Sequence, residues 1–283
     1  MPTFERGFAS QTCGALWVAL ALVAFFATAS RAEPTTNPDA CGLEKIGTGN
    51  VRRVIDGRTI QLEAGQQVRL AAIEVPALPL PRESTPQTNA GLAAKAALEG
   101  LLIGRSVTLK KLGPDADRYG RIVAHVVVDG QSRSVQQEML AKGYARVGAD
   151  VGAKPCAEQL LAIERVARDA RAGLWADSSF SVEPAESPAK ILSRLGHFAL
   201  VEGKVLSVRE SRGTIYLNFG RRWSRDFTVT VLKRNERMFV SAGLELKKLS
   251  GRRILVRGFI EERGGPWIEA TRPEQIELTE QRK

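Results

Sequence analysis

Apolar and polar side chains alternate over residues 54–76, and this alternation predicts a β-hairpin. The dipeptide Asp56-Gly57 is a turn signal within the segment, and residues 64–66 supply a second turn around a glycine. The returning strand carries Arg69 between two apolar residues. It is predicted to end at Glu74, because Pro76 follows. The hairpin therefore places polar side chains near its ends, in an otherwise apolar stretch.

The pattern downstream of the hairpin predicts a small barrel with helices packed around it. Glycine-bounded apolar runs predict the remaining strands, and runs with apolar residues at helical spacing predict three helices, the second capped by a glycine. The predicted strands are 107–111 and 122–128, and the predicted helices are 90–103, 134–142 and 157–172. The fold class is mainly β with packing helices (α+β), built on an OB-type five-stranded barrel.

A second β-rich region follows residues 176–188, which are small, polar and proline-containing and read as a linker. Five short β patterns surround one helical stretch, 235–242, which falls between the third and fourth of them. That order predicts a second, OB-like barrel. The domain prediction is 1–32 signal peptide, 33–41 flexible leader, 42–175 first domain, 176–188 linker and 189–283 basic second domain.

The N-terminal segment has the composition of an export signal. Arg6 precedes an apolar run at 15–29, and small residues allow cleavage after Ala32. An uncleaved membrane anchor is the alternative, but the run is shorter than the about 20 apolar residues that a spanning helix needs. We therefore expect a periplasmic or secreted protein that keeps no membrane anchor after cleavage.

Two cysteines remain in the predicted mature chain, Cys41 and Cys156. In an oxidising compartment they are expected to form a disulfide that joins the entry to the barrel with the loop before helix 157–172. Two free buried thiols are the alternative.

The charge is strongly positive, +10 with a pI near 9.8, which fits nucleic acid, anionic lipid or anionic polysaccharide as a partner. Most of the net charge lies in the region from Glu186 onwards, which has about 20 Lys and Arg against about 12 Asp and Glu. In that region Arg221, Arg222, Trp223 and Arg225 combine charge with an aromatic ring, which suits phosphate contacts and base stacking. A hairpin turn whose tryptophan packs locally is the alternative, and Trp267 is expected in the core.

Three motifs in fixed order resemble the staphylococcal nuclease (thermonuclease) family. They are VIDGRTI with VRLAAIEVP in the hairpin, DRYGR at 117–121 and GLW at 173–175. The resemblance implies the same barrel and a calcium-dependent hydrolysis of DNA or RNA. It also implies that Arg69 and Arg121 clamp the phosphate, a role suited to a planar, permanently charged guanidinium.

The sequence departs from the family at the metal and the base. The resemblance implies Asp56, Thr59 and Glu74 around a calcium ion, but Arg58 stands where the family has an aspartate ligand, and the position of the family's glutamate base is Ala77. A guanidinium at about 4 Å repels a unit positive charge by roughly 4 kcal/mol at an effective dielectric of 20. We therefore expect weak or no calcium binding, unless Glu83 serves as base and Arg58 supplies the charge of the metal.

These observations favour an exported protein that binds DNA or RNA, with preference for single strands, and cleaves it weakly or not at all. An active metal-dependent nuclease and an envelope protein that binds other polyanions are the two alternatives. The site motifs also have structural interpretations. Arg69 could pair with Glu74 or Asp56, Tyr119 could pack on the barrel within a tight loop, and His125 is expected to be structural.

Overall fold

The computed structural model describes residues 41–79, 86–111 and 116–279, and for residues 86–88 it describes the backbone alone. The predicted signal peptide, the leader before Cys41 and Glu83 lie outside the described residues. In the first half of the chain, the described residues form seven strands and three helices. They are β1 Glu44–Asp56, β2 Thr59–Leu62, β3 Gln67–Leu70, β4 Ile73–Glu74, α1 Pro86–Leu102, β5 Ser106–Lys111, β6 Ile122–Val128, α2 Val135–Ala141, β7 Arg146–Val147 and α3 Lys154–Asp169.

Five of these strands close into a barrel in the order β1-β2-β3-β6-β5, which confirms the predicted fold class. The long strand β1 makes closure possible, because its first half pairs with β5 and its second half with β2. Register shifts within β1 bend it between these partners. β3 and β6 pair in parallel and complete the wall. Ile60, Val68 and Val126 are fully buried in the barrel core.

The returning strand is interrupted, whereas the sequence predicted one strand up to Glu74. It ends at Leu70, and Ala72 takes a left-handed backbone with φ of 63°. The chain then re-forms as β4, which pairs with β7 in a separate two-stranded sheet. This turn moves Glu74 out of the barrel wall.

Helices α2 and α3 begin with well-defined signals. Ser134 and Gln137 form a reciprocal capping box at the start of α2. α3 starts at Lys154 with a proline in its first turn, so Cys156 lies inside the helix and not in a preceding loop. The predicted disulfide between Cys41 and Cys156 is present, and it joins the start of the described chain to α3.

In the second half, the part of the chain that the structure describes forms nine strands and two short α-helices. They are β8 Glu183–Pro184, α4 Pro188–Leu192, β9 Phe198–Lys204, β10 Ser207–Ser211, β11 Thr214–Asn218, β12 Thr228–Leu232, α5 Glu236–Ser241, β13 Arg253–Phe259, β14 Glu261–Arg263, β15 Gly265–Glu269 and β16 Ile276–Leu278. Their strands form a five-stranded sheet, β10-β11-β12-β15-β14, and a four-stranded sheet, β16-β13-β9-β8. Where the sequence predicted a second barrel, these two sheets share one core, to which Val201, Val229 and Val256 belong.

The two halves belong to one compact unit. The segment 176–188, predicted as a linker, contains a 3-10 turn with the buried Phe180 and the strand β8, which pairs with β9. Arg257 of β13 is 1% exposed, and its Nη1 donates to Glu164 Oε2 of α3 at 2.8 Å. Glu277 pairs with the same guanidinium. Within the described residues, no helix is long and apolar enough to cross a membrane.

Candidate functional site

The guanidinium of Arg58 forms an ion pair with the carboxylate of Glu74. Two features of the backbone bring these side chains together. The turn at Asp56-Gly57 leads into Arg58, and the left-handed backbone of Ala72 directs β4, with Glu74, towards that turn. Gly57 is required here, because a Cβ atom would lie 2.5 Å from Val75 Cγ1. The side chains of Arg58 and Glu74 are only 21% and 13% exposed. Partial burial strengthens such a pair relative to one in open solvent.

The predicted metal ligands do not fit a calcium ion bound as in the family. Glu74 is engaged by Arg58, and Asp56 Oδ1 accepts a hydrogen bond of 2.9 Å from the Arg58 backbone N–H. Thr59 is 1% exposed, and its Oγ1 has no hydrogen-bond partner among the described residues. No group of three or more His, Cys, Asp or Glu in the described part of the chain is arranged to hold a metal. A hard cation needs several oxygen ligands, and here one of the expected carboxylates is bound by a guanidinium.

Arg69 lies beside this pair on β3. Among the described residues, Arg69 has no ion-pair partner within 4 Å. The alternative interpretation, in which Arg69 pairs with Glu74 or Asp56, is therefore wrong. Burial and then the charge of Arg58 lower the pKa of Arg69, while the charge of Glu74 opposes the shift. A guanidinium remains protonated despite such a shift. Arg69 is thus a half-buried cation available to an anion.

Arg121 completes the basic face from the next strand. Arg69 is in register with Val123 of the parallel β6, and Arg121 directly precedes β6, on the same face as Val123. Arg121 Nε and Nη2 donate to Asp117 Oδ2 at 2.8 and 2.7 Å. Burial of Asp117 favours its neutral form, but these bonds and two backbone N–H donors hold its pKa below the ordinary value. We call Arg58, Arg69 and Arg121 the arginine cluster.

Tyr119 is displayed next to the arginine cluster. Tyr119 is 66% exposed. It does not pack on the barrel, which was the alternative interpretation of this motif. The guanidinium carbons of Arg118 and Arg121 lie 4.8 and 5.2 Å from its ring centroid, which fits a cation–π arrangement. The motif at 117–121 therefore presents an exposed aromatic ring among cations.

A cleft of about 650 Å³ adjoins the arginine cluster, and we call it the junction cleft. Asp56, Arg58, Glu74 and Ala77 line it from the first half. Its remaining walls include Arg146 of β7 and residues from the second half, namely Phe180, Arg194, His197, Phe198 and Phe259. No motif pointed to Arg146 or to the residues of the second half, because their roles depend on contacts between segments far apart in the chain.

Comparison with known proteins identifies the family. A family model described as "Staphylococcal nuclease homologue" matches residues 67–177. The "Protein ParB" of Escherichia coli is 33% identical over 144 residues, which are 48% of this chain and 76% of that protein. The chain belongs to the staphylococcal nuclease family.

Two further relatives have the same kind of match. The "Probable staphylococcal-like nuclease CAN1" of Oryza sativa subsp. japonica is 35% identical over 141 residues, covering 49% of this chain and 38% of that protein. An uncharacterized protein of Methanocaldococcus jannaschii is 28% identical over 148 residues, covering 45% of this chain and 70% of that protein. Each match covers less than half of this chain.

His125 and Trp267 lie where structural roles place them. His125 is 3% exposed in the barrel wall, and burial lowers its pKa to about 4. It is therefore neutral at pH 7. Trp267 is 9% exposed and packs edge-on against Tyr216, at 5.9 Å between ring centroids.

The basic hairpin between β11 and β12 lies outside the segment that the family model matches. Trp223 at its tip is 71% exposed, so it does not pack locally. Asp226 Oδ2 accepts the Arg222 backbone N–H at 2.7 Å and closes the loop. Arg221, Arg222 and Arg225 have no side-chain ion pair among the described residues. The hairpin presents a flat ring flanked by free cations.

Proposed function

We propose that this protein binds nucleic acid through the arginine cluster and does not cleave it in the metal-dependent manner of its family. The observation that carries the proposal is the ion pair between Arg58 and Glu74, at two positions where the resemblance implies calcium ligands. The family membership and the positive charge of the chain support nucleic acid as the partner.

The guanidinium of Arg58 works against a cation in two ways. It occupies one carboxylate and adds a positive charge close to where the ion would lie. A repulsion of roughly 4 kcal/mol corresponds to about three decades in affinity. The same charge favours a phosphate, which Arg69 and Arg121 can also contact.

The missing base supports the same proposal. The position that the family uses for its glutamate base is Ala77, which has no group that can take a proton. General-base catalysis contributes about 10²–10⁴ in rate. A site without that group and without a metal retains the phosphate contacts but loses activation of water.

The basic hairpin supports a preference for single strands. Trp223 offers a ring on which an unpaired base can stack, and the neighbouring arginines can follow the backbone. In a duplex the bases already stack on each other, so this ring would contribute less.

The experiment compares binding and cleavage by the full chain. Single-stranded DNA, duplex DNA and RNA are incubated with calcium, with magnesium and with excess chelator. We expect no cleavage in any condition, and binding that the chelator leaves unchanged and that weakens steeply with salt. Arg69→Ala is expected to weaken binding about tenfold and to reduce the salt slope by about one.

The control is Lys95→Ala, which removes a cation that pairs with Glu99 on the surface of α1. It is expected to leave affinity nearly unchanged. Calcium-dependent cleavage that disappears in Arg69→Ala would overturn the proposal in favour of an active nuclease. Equal retention by heparin and by single-stranded DNA would favour the alternative of a general polyanion-binding protein.

We also propose that the protein is exported to the periplasm or beyond the cell. The apolar run at 15–29 and the disulfide between Cys41 and Cys156 support this, since disulfides persist in oxidising compartments. Mass spectrometry of the protein from a periplasmic extract should find an N-terminus at Glu33. A mature protein that begins at Met1 in the cytoplasm would contradict it.

A further inference from the structure

The junction cleft has an aromatic wall that the matched family segment does not supply. Phe198 and Phe259 lie at the ends of β9 and β13 and pack edge to face, with ring centroids 5.5 Å apart. Phe198 is 5% exposed, whereas Phe259 is 49% exposed. Phe259 thus has a supporting ring on one side and remains open to a second planar group.

Arg146 contributes a buried donor to the same cleft. It is 5% exposed, and its Nη1 donates to the Phe198 carbonyl oxygen at 2.7 Å. Its guanidinium lies 5.5 and 5.1 Å from the ring centroids of Phe180 and Phe198. Its Nε has no hydrogen-bond partner among the described residues. Since buried polar groups are nearly always hydrogen-bonded, this donor indicates that an acceptor from a ligand or water belongs here.

The charges that line the cleft are largely balanced. Arg58 pairs with Glu74, and Arg194 Nη2 donates to Glu183 Oε1 at 2.9 Å. Asp56 adds a further negative charge and the buried Arg146 a further positive one, so three guanidinium groups face three carboxylates. An anion would therefore gain little inside the cleft, whereas Arg69 beside it has no paired carboxylate within 4 Å among the described residues. The arrangement separates a cationic position from an apolar, aromatic one.

We propose that the junction cleft holds one unstacked base of a bound single strand while the adjoining phosphate lies on the arginine cluster. A volume of about 650 Å³ lies within the usual range for small-molecule sites. The base stacks on Phe259, and the guanidinium of Arg146, which lines the cleft, donates to one of its ring or carbonyl acceptors. Arg58 borders both positions, so a phosphate and its own nucleoside can reach them together. This inference rests on the proposed function and names the part of the substrate that the second half recognises.

The test measures affinity of the full chain for a fluorescent 20-nucleotide single strand and for the same strand with all bases removed. We expect Phe259→Ala to weaken binding of the intact strand about tenfold, because it removes the ring on which the base stacks. The same variant should bind the abasic strand as the native protein does. Phe259→Leu keeps an apolar side chain without the ring. It should likewise bind the intact strand more weakly and the abasic strand as the native protein does.

The matched control is Val240→Ala, which truncates a side chain of similar exposure, 50%, on α5. It should leave both affinities unchanged. If Phe259→Ala and Phe259→Leu bind both strands as the native protein does, while Arg69→Ala binds weakly, the base site is wrong and the proposed function stands. If Arg69→Ala also binds normally, the proposed function itself fails.

A 2-aminopurine base reports insertion directly. Its fluorescence should fall on binding to the native protein and recover in Phe259→Leu, because stacking on the ring quenches it. Unchanged fluorescence at every substituted position of the strand would overturn the inference.

Discussion

Arg58 and Glu74 lie two and eighteen residues after Asp56, yet their side chains form one ion pair beside the junction cleft. Arg58 stands where the resemblance implies an aspartate ligand of calcium. This substitution can be reversed by mutation, which gives the most direct test of the site.

Arg58→Asp should create a calcium site. It removes the guanidinium and adds a carboxylate between Asp56 and Glu74, which gives three acidic side chains at the position where the described residues now have no such group. Titration calorimetry should show that the variant binds calcium about three decades more tightly than the native protein does.

Arg53→Asp is the control for that change. Arg53 is exposed on β1, where its Nε donates to Gln61 at 2.7 Å. The substitution alters net charge equally but adds no ligand near Glu74, so calcium affinity should not appear. Calcium binding in both variants, or in neither, would contradict the assignment.

Arg257→Met should destabilise the protein strongly. Arg257 and Glu164 are 1% and 0% exposed, and removal of the guanidinium leaves the buried carboxylate with Arg168, at the longer distance of 3.8 Å, as its ion-pair partner. Loss of one member of a buried pair costs about 3–5 kcal/mol. Urea denaturation followed by tryptophan fluorescence measures the change.

Lys248→Met provides the comparison for that variant. It breaks a surface pair with Glu245, whose members are 75% and 52% exposed. Exposed pairs contribute about 0–1 kcal/mol, so this variant should unfold at nearly the native urea concentration. Equal losses in the two variants would contradict a special role for the buried pair.

Replacing Cys41 and Cys156 by serine should also lower stability. The bond closes a loop with a sequence separation of 115 residues, and in the chain-entropy model it contributes about 5 kcal/mol. Reductant should lower the unfolding midpoint of the native protein and leave that of the double variant unchanged. A midpoint insensitive to reductant in both proteins would show that the bridge does not contribute.

Acid should destabilise the fold through His125. Burial lowers its folded-state pKa to about 4 from an ordinary 6.5, so the unfolded chain takes up a proton between these values and the folded protein does not. This contribution is complete above pH 6.5 and decreases as the pH falls towards 4, by about 3 kcal/mol in total. Urea midpoints at successive pH values measure it.

His125→Gln should flatten that dependence. His197→Gln changes the other histidine of the chain, which is exposed, and should keep the native slope. Identical slopes in all three proteins would exclude His125 as the source.

The barrel and the positions of Arg69 and Arg121 on it could be predicted because their signals are local. Strand alternation around Arg69 fixes which side of β3 it occupies, and the motif around Arg121 fixes its loop. The ion pair of Arg58 was harder to predict, because it depends on Ala72, a residue type that rarely takes a left-handed backbone. Nothing in the local sequence signals that turn.

The junction cleft was not predictable for a different reason. Arg146 and Phe198 are 52 residues apart, and Phe259 lies still further along the chain. Each residue alone resembles an ordinary strand residue, and only the packing of β9 and β13 against the first half gives them a common cavity. Composition identified the segment 176–188 as a connection but not its packing.

Helix α3 carries the disulfide at Cys156 near its start and the buried Glu164 two turns later. A fragment cut after residue 177 would keep the whole matched family segment and lose Arg257, leaving the Glu164 carboxylate with no guanidinium from β13. The barrel half and the second half of the chain are therefore linked by this buried ion pair. If this barrel were exchanged with that of a relative, the residue at position 257 would have to be exchanged with it.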